Sequence, residues 1–128
     1  NFFQDCIIHI LYERVYSWFK FKKSPDITLL LLARKNIEVY FDFFNKILEK
    51  RNFITINTFS LADIALLSYI SVLDYLGEIN WDKYIFIKEW YLLTKSRPSF
   101  RDILYDIVQN KEDNRVIKPS ATYREIDF

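Results

Sequence analysis

The sequence predicts an all-α fold, a helical bundle, and three observations support this prediction. Apolar residues recur at steps of three and four, the spacing that places side chains on one face of a helix. No alternation of apolar and polar residues persists for more than a few positions, as a half-buried strand would require. Ser60 and Asp63 form an S-x-x-D box before an apolar run, which is a signal for the start of a helix.

The first half of the chain is predicted to form two helices. One covers about residues 2–20 and carries a broad apolar stripe, and Ser24-Pro25-Asp26 then breaks the pattern. The other is long, from about residue 27 to residue 50, with one apolar face and charged residues largely off it. Residues 51–58 are expected to connect it to the next helix.

The helix over residues 61–76 is predicted to be central. Its only charges are Asp63 and Asp74, and a helix that is apolar on every face belongs among other helices. Ser60 and Asp63 are expected to form its structural N-capping box, with Phe59 and Ile64 packing as a hydrophobic staple. Gly77, the only glycine in the chain, is expected to end it in the left-handed conformation.

A further helix is predicted over about residues 81–95, ended before Pro98. Ser99 and Asp102 resemble a second S-x-x-D box that opens a short helix through about Val108. Residues 1–109 are therefore predicted to form one helical domain. Residues 110–128 are predicted to form an extended C-terminal tail, since they begin with a polar run and contain Pro119.

The composition excludes several classes of protein. Hydrophobic residues make up 51% of the 128 residues, which excludes a disordered chain, and the net charge of +1 predicts no nucleic-acid partner. No apolar run approaches the roughly 18 residues of a membrane span. The single cysteine, Cys6, cannot form an internal disulfide and fits a cytoplasmic location. The absence of methionine, even at position 1, predicts a fragment of a longer protein.

Catalytic and metal-binding residues are not predicted in this chain. His9 lies near Cys6, but two ligands are too few for a metal site. No feature favours a nucleophile and base over an ordinary helical histidine. A chain with one glycine also lacks a glycine-rich phosphate loop.

Two motifs carry a family resemblance. T-F-S-L-A-D-I-A over residues 58–65, and S-R-P-S-F over residues 96–100, resemble the C-terminal helical domain of the glutathione transferase superfamily. This resemblance implies that the full-length protein has an N-terminal thioredoxin-like domain, absent from this chain, which holds any glutathione and the activating side chain. It also implies a homodimer. Tyr12, Tyr16 and Phe19 are then candidates for a wall of the co-substrate site, with ordinary packing as the alternative.

The last six residues alternate aromatic or aliphatic side chains with charged ones, a composition typical of a short docking segment. A frayed, silent terminus is the alternative. The Y-x-x-I-D-F ending and S-V-L-D-Y-L-G over residues 71–77 are similar to the FtsZ-localised division proteins, which have a glutathione-transferase fold and bind filaments of the tubulin-like protein FtsZ. The residues predicted to contact this partner are Tyr123, Glu125, Ile126, Asp127 and Phe128.

Three functions follow as hypotheses. The first is a non-catalytic regulator of bacterial cell division that binds FtsZ filaments. The second is a glutathione transferase that conjugates glutathione to small electrophiles, and the third is a helical docking module in a larger assembly. Whether the full-length protein is an enzyme stays open, because the activating residue would lie outside this chain.

Overall fold

A computed structural model describes residues 1–21, 26–51, 60–105, 107–109 and 116–124, and most of them are helical. Helix α1 consists of four consecutive segments, in which π-helical turns alternate with α-helical ones: Phe3–Ile7, Ile8–Leu11, Tyr12–Tyr16 and Ser17–Phe21. The other α-helices are α2 (Ile27–Lys50), α3 (Leu61–Tyr75), α4 (Ile85–Lys95) and α5 (Pro98–Arg101). Short 3-10 helices cover Trp81–Lys83 and Asp102–Tyr105, and two-residue strands β1 (Val108–Gln109) and β2 (Val116–Ile117) pair antiparallel.

The prediction for the segment after α4 is wrong in two details. Helix α5 begins at Pro98, a residue suited to the first helical position because its missing N–H would have no intrahelical partner there. Ser99 therefore lies inside the helix and not at the position before its first residue. Val108 was expected to end a helix, but it pairs with Ile117 in the short β1–β2 ladder.

The chain divides into two compact units, and the first comprises residues 1–40 and 107–118. Its buried apolar residues come from α1 and the first part of α2: Phe2, Cys6, Ile7, Ile10, Leu30, Ala33 and Ile37. The Tyr40 hydroxyl donates to Asp5 Oδ2, and this bond is the main reason that the pKa of the Asp5 carboxyl is lowered. Helices α1 and α2 are thus joined by polar contacts as well as by apolar ones.

Helix α2 begins with a cap that the sequence prediction missed. Asp26 Oδ1 accepts hydrogen bonds from the backbone N–H groups of Thr28 and Leu29 at 3.0 and 3.3 Å. The buried Glu13 of α1 accepts the backbone N–H of Asp26 at 2.8 Å. Asp26 was interpreted only as part of a helix break, yet its side chain starts the next helix.

The second unit comprises residues 41–106 and 119–128. Its buried apolar residues are Phe41, Leu48, Leu66, Leu67, Ile70, Leu73, Tyr75, Leu76, Trp81, Tyr84, Ile87, Trp90, Tyr91, Leu104 and Tyr123. Among the described residues of this unit, four polar or charged side chains are buried with them: Asp63, Asp74, Thr94 and Lys95. A buried charge is costly unless it is paired and hydrogen-bonded, so the partners of these four groups organise the unit.

Helix α3 starts with the capping box formed by Ser60 and Asp63. The backbone N–H of Ser60 donates to Asp63 Oδ2 at 3.1 Å, and the other carboxylate oxygen accepts the indole N–H of Trp90 at 3.1 Å. One buried carboxylate therefore caps α3 and ties it to α4. Phe59 of the predicted staple lies outside the described residues.

Helix α3 is less enclosed than predicted. Leu61 is 82% exposed and Ile64 is 46% exposed, because the helix buries the face that carries Asp63, Leu67 and Ile70 and turns these two away from it. The end of the helix agrees with prediction. Gly77 has φ +71°, and the N–H groups of Gly77 and Glu78 donate to the carbonyls of Asp74 and Leu73, as in a Schellman motif.

Helix α4 takes its cap from another helix. Asn45 of α2 accepts the backbone N–H groups of Phe86 and Ile87 on its Oδ1, at 3.1 and 3.2 Å. Tyr84, which precedes the helix, provides no side-chain cap. The start of α4 therefore depends on a residue about forty positions earlier, because the orphan N–H groups of a helix accept any oxygen that tertiary structure brings to them.

The two capping residues of α3 should differ in their contribution to stability. We expect Ser60→Ala to lower the free energy of unfolding by about 1 kcal/mol, as for the loss of a typical N-cap. Asp63→Ala should cost about 3 kcal/mol, because it also leaves the buried indole N–H of Trp90 without its acceptor. Urea unfolding of each variant measures both values.

Ser68→Ala is the matched control for the α3 caps. The Ser68 hydroxyl lies on the exposed face of α3 and donates to the Ile64 carbonyl, so this variant should stay within about 0.5 kcal/mol of the parent protein. An Asp63→Ala cost no larger than the Ser60→Ala cost would contradict the dual role of Asp63.

Candidate functional site

Residues 119–124, which we call the anchored segment, lie against α3 and α4 in the second unit. The backbone N–H of Ser120 donates to the carbonyl of Tyr75 at 2.9 Å, and its hydroxyl donates to the carbonyl of Asp74. The Thr122 hydroxyl donates to Asp74 Oδ1. The predicted C-terminal tail therefore has a part that is fixed to the end of α3.

A buried ion pair lies under the anchored segment. Lys95 Nζ is 3.6 Å from Asp74 Oδ2, and the two side chains are 0% and 1% exposed. Lys95 also donates to the Thr122 carbonyl at 2.6 Å. The ammonium group thus binds α3 through a side chain and the anchored segment through its backbone.

Aromatic residues complete the environment of this pair. The Tyr91 hydroxyl donates to Asp74 Oδ2 at 2.7 Å, and the Trp81 indole N–H donates to Oδ1 at 3.3 Å. Burial, followed by the negative charge of Asp74, raises the pKa of Tyr91, so its hydroxyl stays a donor. The Asp74 carboxylate is therefore satisfied by a cation and several hydrogen-bond donors, as a buried charge requires.

Tyr123 is part of the core rather than a free contact residue. It is 5% exposed, and its ring meets that of Tyr75 edge-on at 4.9 Å, with Lys95 Nζ 5.8 Å from its centroid. Its predicted role as a partner contact stays a prediction, and in this structure the ring is packed within the second unit. Arg124 follows and donates from Nε to the Leu104 carbonyl at 3.0 Å.

The other predicted partner contacts, Glu125, Ile126, Asp127 and Phe128, lie outside the described residues. We call residues 125–128 the terminal residues. They follow directly on Arg124, which is hydrogen-bonded to Leu104 and lies 5.6 Å from the Tyr105 ring. The last described residue before them, Arg124, is therefore held on the second unit.

The candidates for a co-substrate wall lie in the first unit. Tyr12 and Tyr16 are 48% and 49% exposed, and their ring centroids are 5.4 Å apart across a π-helical turn of α1. Phe19 is half-buried. The two tyrosines therefore form a pair on the surface of this chain, and their place in a co-substrate wall stays a prediction.

The Cys6 and His9 pair has no arrangement for chemistry. Cys6 is fully buried, and burial raises the pKa of its thiol to about 12, whereas His9 is exposed. No three potential ligands cluster as a metal site within the part of the chain that the structure describes. Nor does any helix in that part have the length and apolar character to span a membrane.

A family comparison decides how this architecture is classified. The model of the family described as "Glutathione S-transferase, C-terminal domain" matches residues 12–118. This chain belongs to that family. The all-α fold predicted from sequence is confirmed, and so is the resemblance to the glutathione transferase C-terminal domain.

One curated relative of this glutathione transferase C-terminal domain is named for its localisation with FtsZ. FtsZ-localized protein A of Caulobacter vibrioides is 30% identical over 119 residues, which are 93% of this chain and 50% of that protein. The solved structure of FzlA from C. crescentus matches with a TM-score of 0.90 and 29% identity, over 99% of this chain and 54% of that one. The predicted resemblance to FtsZ-localised proteins is confirmed.

Other solved relatives carry the enzyme name. A glutathione S-transferase from Sinorhizobium meliloti matches with a TM-score of 0.90 and 31% identity, over 99% of this chain and 54% of that one. One from Rhodospirillum rubrum matches with a TM-score of 0.89 and 26% identity, over 99% and 55%. This chain therefore spans about half the length of its relatives.

Sequence reasoning missed the buried pair at the base of the anchored segment. Asp74 was noted only as a charge in an apolar helix, and Lys95 only as the last residue of the next helix. The available signal was the isolated acidic residue itself, because a charge inside an otherwise apolar helix requires a partner. The sequence does not show that this partner is Lys95, since lysines at helix ends are ordinarily solvated.

The stability of the fold should depend on the Lys95 ammonium group of the buried pair. We expect Lys95→Met to lower the free energy of unfolding by about 3 kcal/mol, because the Asp74 carboxylate would stay buried without its counter-charge. Lys46→Met, at an exposed position of α2, should change it by no more than about 0.5 kcal/mol. Equal values for the two variants in urea unfolding would show that the pair is not energetically important.

The Cys6 thiol should give stability a dependence on alkaline pH. An unfolded thiol ionises near pH 8.5, whereas the folded thiol stays protonated up to about pH 12. Ionisation then favours the unfolded state, so the free energy of unfolding should fall by up to about 1.4 kcal/mol per pH unit above pH 8.5.

Cys6→Val isolates this contribution, since it keeps a buried apolar side chain and has no ionisable group. The variant should lose less stability than the parent between pH 8.5 and 9.5 in urea unfolding. An identical decline in both proteins would assign the pH dependence to other groups.

Proposed function

We propose that the full-length protein is a non-catalytic regulator of bacterial cell division that binds FtsZ filaments through its terminal residues. The match to FtsZ-localized protein A over 93% of this chain is the observation that carries this proposal. The name of that relative indicates association with FtsZ, and its solved structure shares this fold.

The anchored segment supports this assignment. Contacts from Ser120 to Arg124 hold the chain on the second unit immediately before the terminal residues. Those residues, Glu-Ile-Asp-Phe, combine two large apolar side chains with two carboxylates. Short segments of this kind bind partners by inserting apolar anchors, while the charges set orientation and association rate. Tyr123 is buried and acts within the anchor instead.

In this proposal the full-length protein acts in the cytoplasm, where FtsZ polymerises, and it forms a homodimer. A dimer would present two sets of terminal residues to a filament that repeats its binding site. Simultaneous engagement raises apparent affinity well above that of one contact, provided that the spacing allows it.

A second candidate is a glutathione transferase that conjugates glutathione to small electrophiles, because two solved relatives carry that enzyme name. In this proposal an N-terminal domain would hold glutathione, and the exposed Tyr12 and Tyr16 would line the co-substrate wall. Glutathione affinity and conjugating activity of the full-length protein test this candidate directly.

Co-sedimentation of the full-length protein with polymerised FtsZ tests the division function. The parent protein should pellet with filaments, and deletion of residues 125–128 should reduce binding by at least about tenfold, because the deletion removes both apolar anchors. The deletion stops after Arg124, since removing Tyr123 would disturb the core as well. The melting temperature of the deletion variant should therefore be nearly that of the parent protein.

Single substitutions sharpen this test. Phe128→Ala and Ile126→Ala should each weaken pelleting, whereas Leu93→Ala, at a 71% exposed position of α4, should not. Failure of the parent protein to pellet would refute the division function. Pelleting that is independent of the terminal residues would keep the partner but move its contact to another surface.

A further inference from the structure

We propose that the buried Asp74–Lys95 pair is a positioning anchor for the partner contact. The pair fixes the chain at residues 120–122, so that the terminal residues reach a filament from a defined point instead of from the end of a flexible linker. This inference rests on the proposed function, since it explains how the terminal residues are presented to FtsZ.

The hydrogen bonds of the anchored segment converge on this pair. The Thr122 hydroxyl binds the Asp74 carboxylate, and the Thr122 carbonyl binds the Lys95 ammonium group. The Ser120 hydroxyl binds the backbone carbonyl of Asp74. Each charge of the pair therefore binds both its ionic partner and the anchored segment, so the segment supplies part of the solvation that the buried charges require.

The segment beyond Thr122 stays in contact with the second unit. The Tyr123 ring packs on Tyr75, and the Arg124 side chain binds the Leu104 carbonyl. Residues 119–124 are therefore already held on the second unit before a partner binds. A segment that is ordered before binding loses less conformational entropy on association than a free tail, which raises affinity without any new contact.

The double variant Ser120→Ala/Thr122→Val removes the hydrogen bonds that the Ser120 and Thr122 hydroxyls donate to Asp74, and it leaves Asp74 and Lys95 in place. If the anchored state falls to about a tenth of the population, the apparent Kd for FtsZ filaments rises about tenfold. Ser68→Ala/Thr28→Val makes the same chemical changes at exposed positions of α3 and α2 and should leave binding unchanged.

A disulfide across the anchor should restore binding. A Cβ atom built at Gly77 would lie 3.6 Å from Ser120 Cβ, within the range that disulfides span. We therefore combine Gly77→Cys and Ser120→Cys with Thr122→Val. The native Cys6 is fully buried with a raised thiol pKa, so it should not compete for this bond.

The disulfide variant serves as its own control. Gly77 has φ +71°, so a side chain there is strained in both redox forms, and the two forms differ only in the covalent link. Oxidised with oxidised glutathione, the full-length variant should pellet with FtsZ filaments like the parent protein. Reduced with dithiothreitol, it should bind about tenfold more weakly. Because a disulfide also stabilises the folded state, thermal unfolding of both forms checks that the reduced form is still folded when it binds more weakly.

Hydrogen exchange of the Ser120 amide, which donates to the Tyr75 carbonyl, reports release of the segment independently of any partner. Faster exchange in Ser120→Ala/Thr122→Val together with weaker pelleting supports the anchor. Release without loss of pelleting, or no release at all, overturns it. A parent protein that does not pellet refutes the proposed function instead, so the two failures are distinguishable.

Discussion

The ion pair between Asp74 and Lys95 is the interaction on which the second unit depends. Two charges withdrawn from water must be compensated locally, and here the compensation comes from α3, the 3-10 helix at Trp81, α4 and the anchored segment. Each of these elements approaches the pair because it carries a donor or acceptor that the pair needs. Apolar contacts alone would define the positions of these elements relative to one another less strictly.

Features of the fold that depend on neighbouring residues were predictable from sequence. The limits of α2, the capping box of α3 and the left-handed turn at Gly77 each follow from side chains within a few positions. The family resemblance relied on the same local motifs. Fold class and family membership were therefore accessible without coordinates.

Features that depend on distant residues were not predictable. Asn45 caps α4 across more than forty positions, and its sequence context in the middle of α2 is that of an ordinary helical residue. Tyr123 resembled the first contact residue of a docking segment, and only its packing on Tyr75 shows that it belongs to the core. Function is a separate question from fold, because one helical domain serves enzymes and filament-binding proteins alike.

The anchored segment also has a consequence for how the protein is made. Thr122 follows Lys95 by 27 residues, so at about 5–20 residues per second the ribosome adds it about 1 to 5 seconds later. Until Thr122 has also left the ribosome, the two opposite charges lack the carbonyl and hydroxyl groups that Thr122 brings. The unit thus completes its core only after translation has passed well beyond α4, and until then the incomplete core is open to chaperones and proteases.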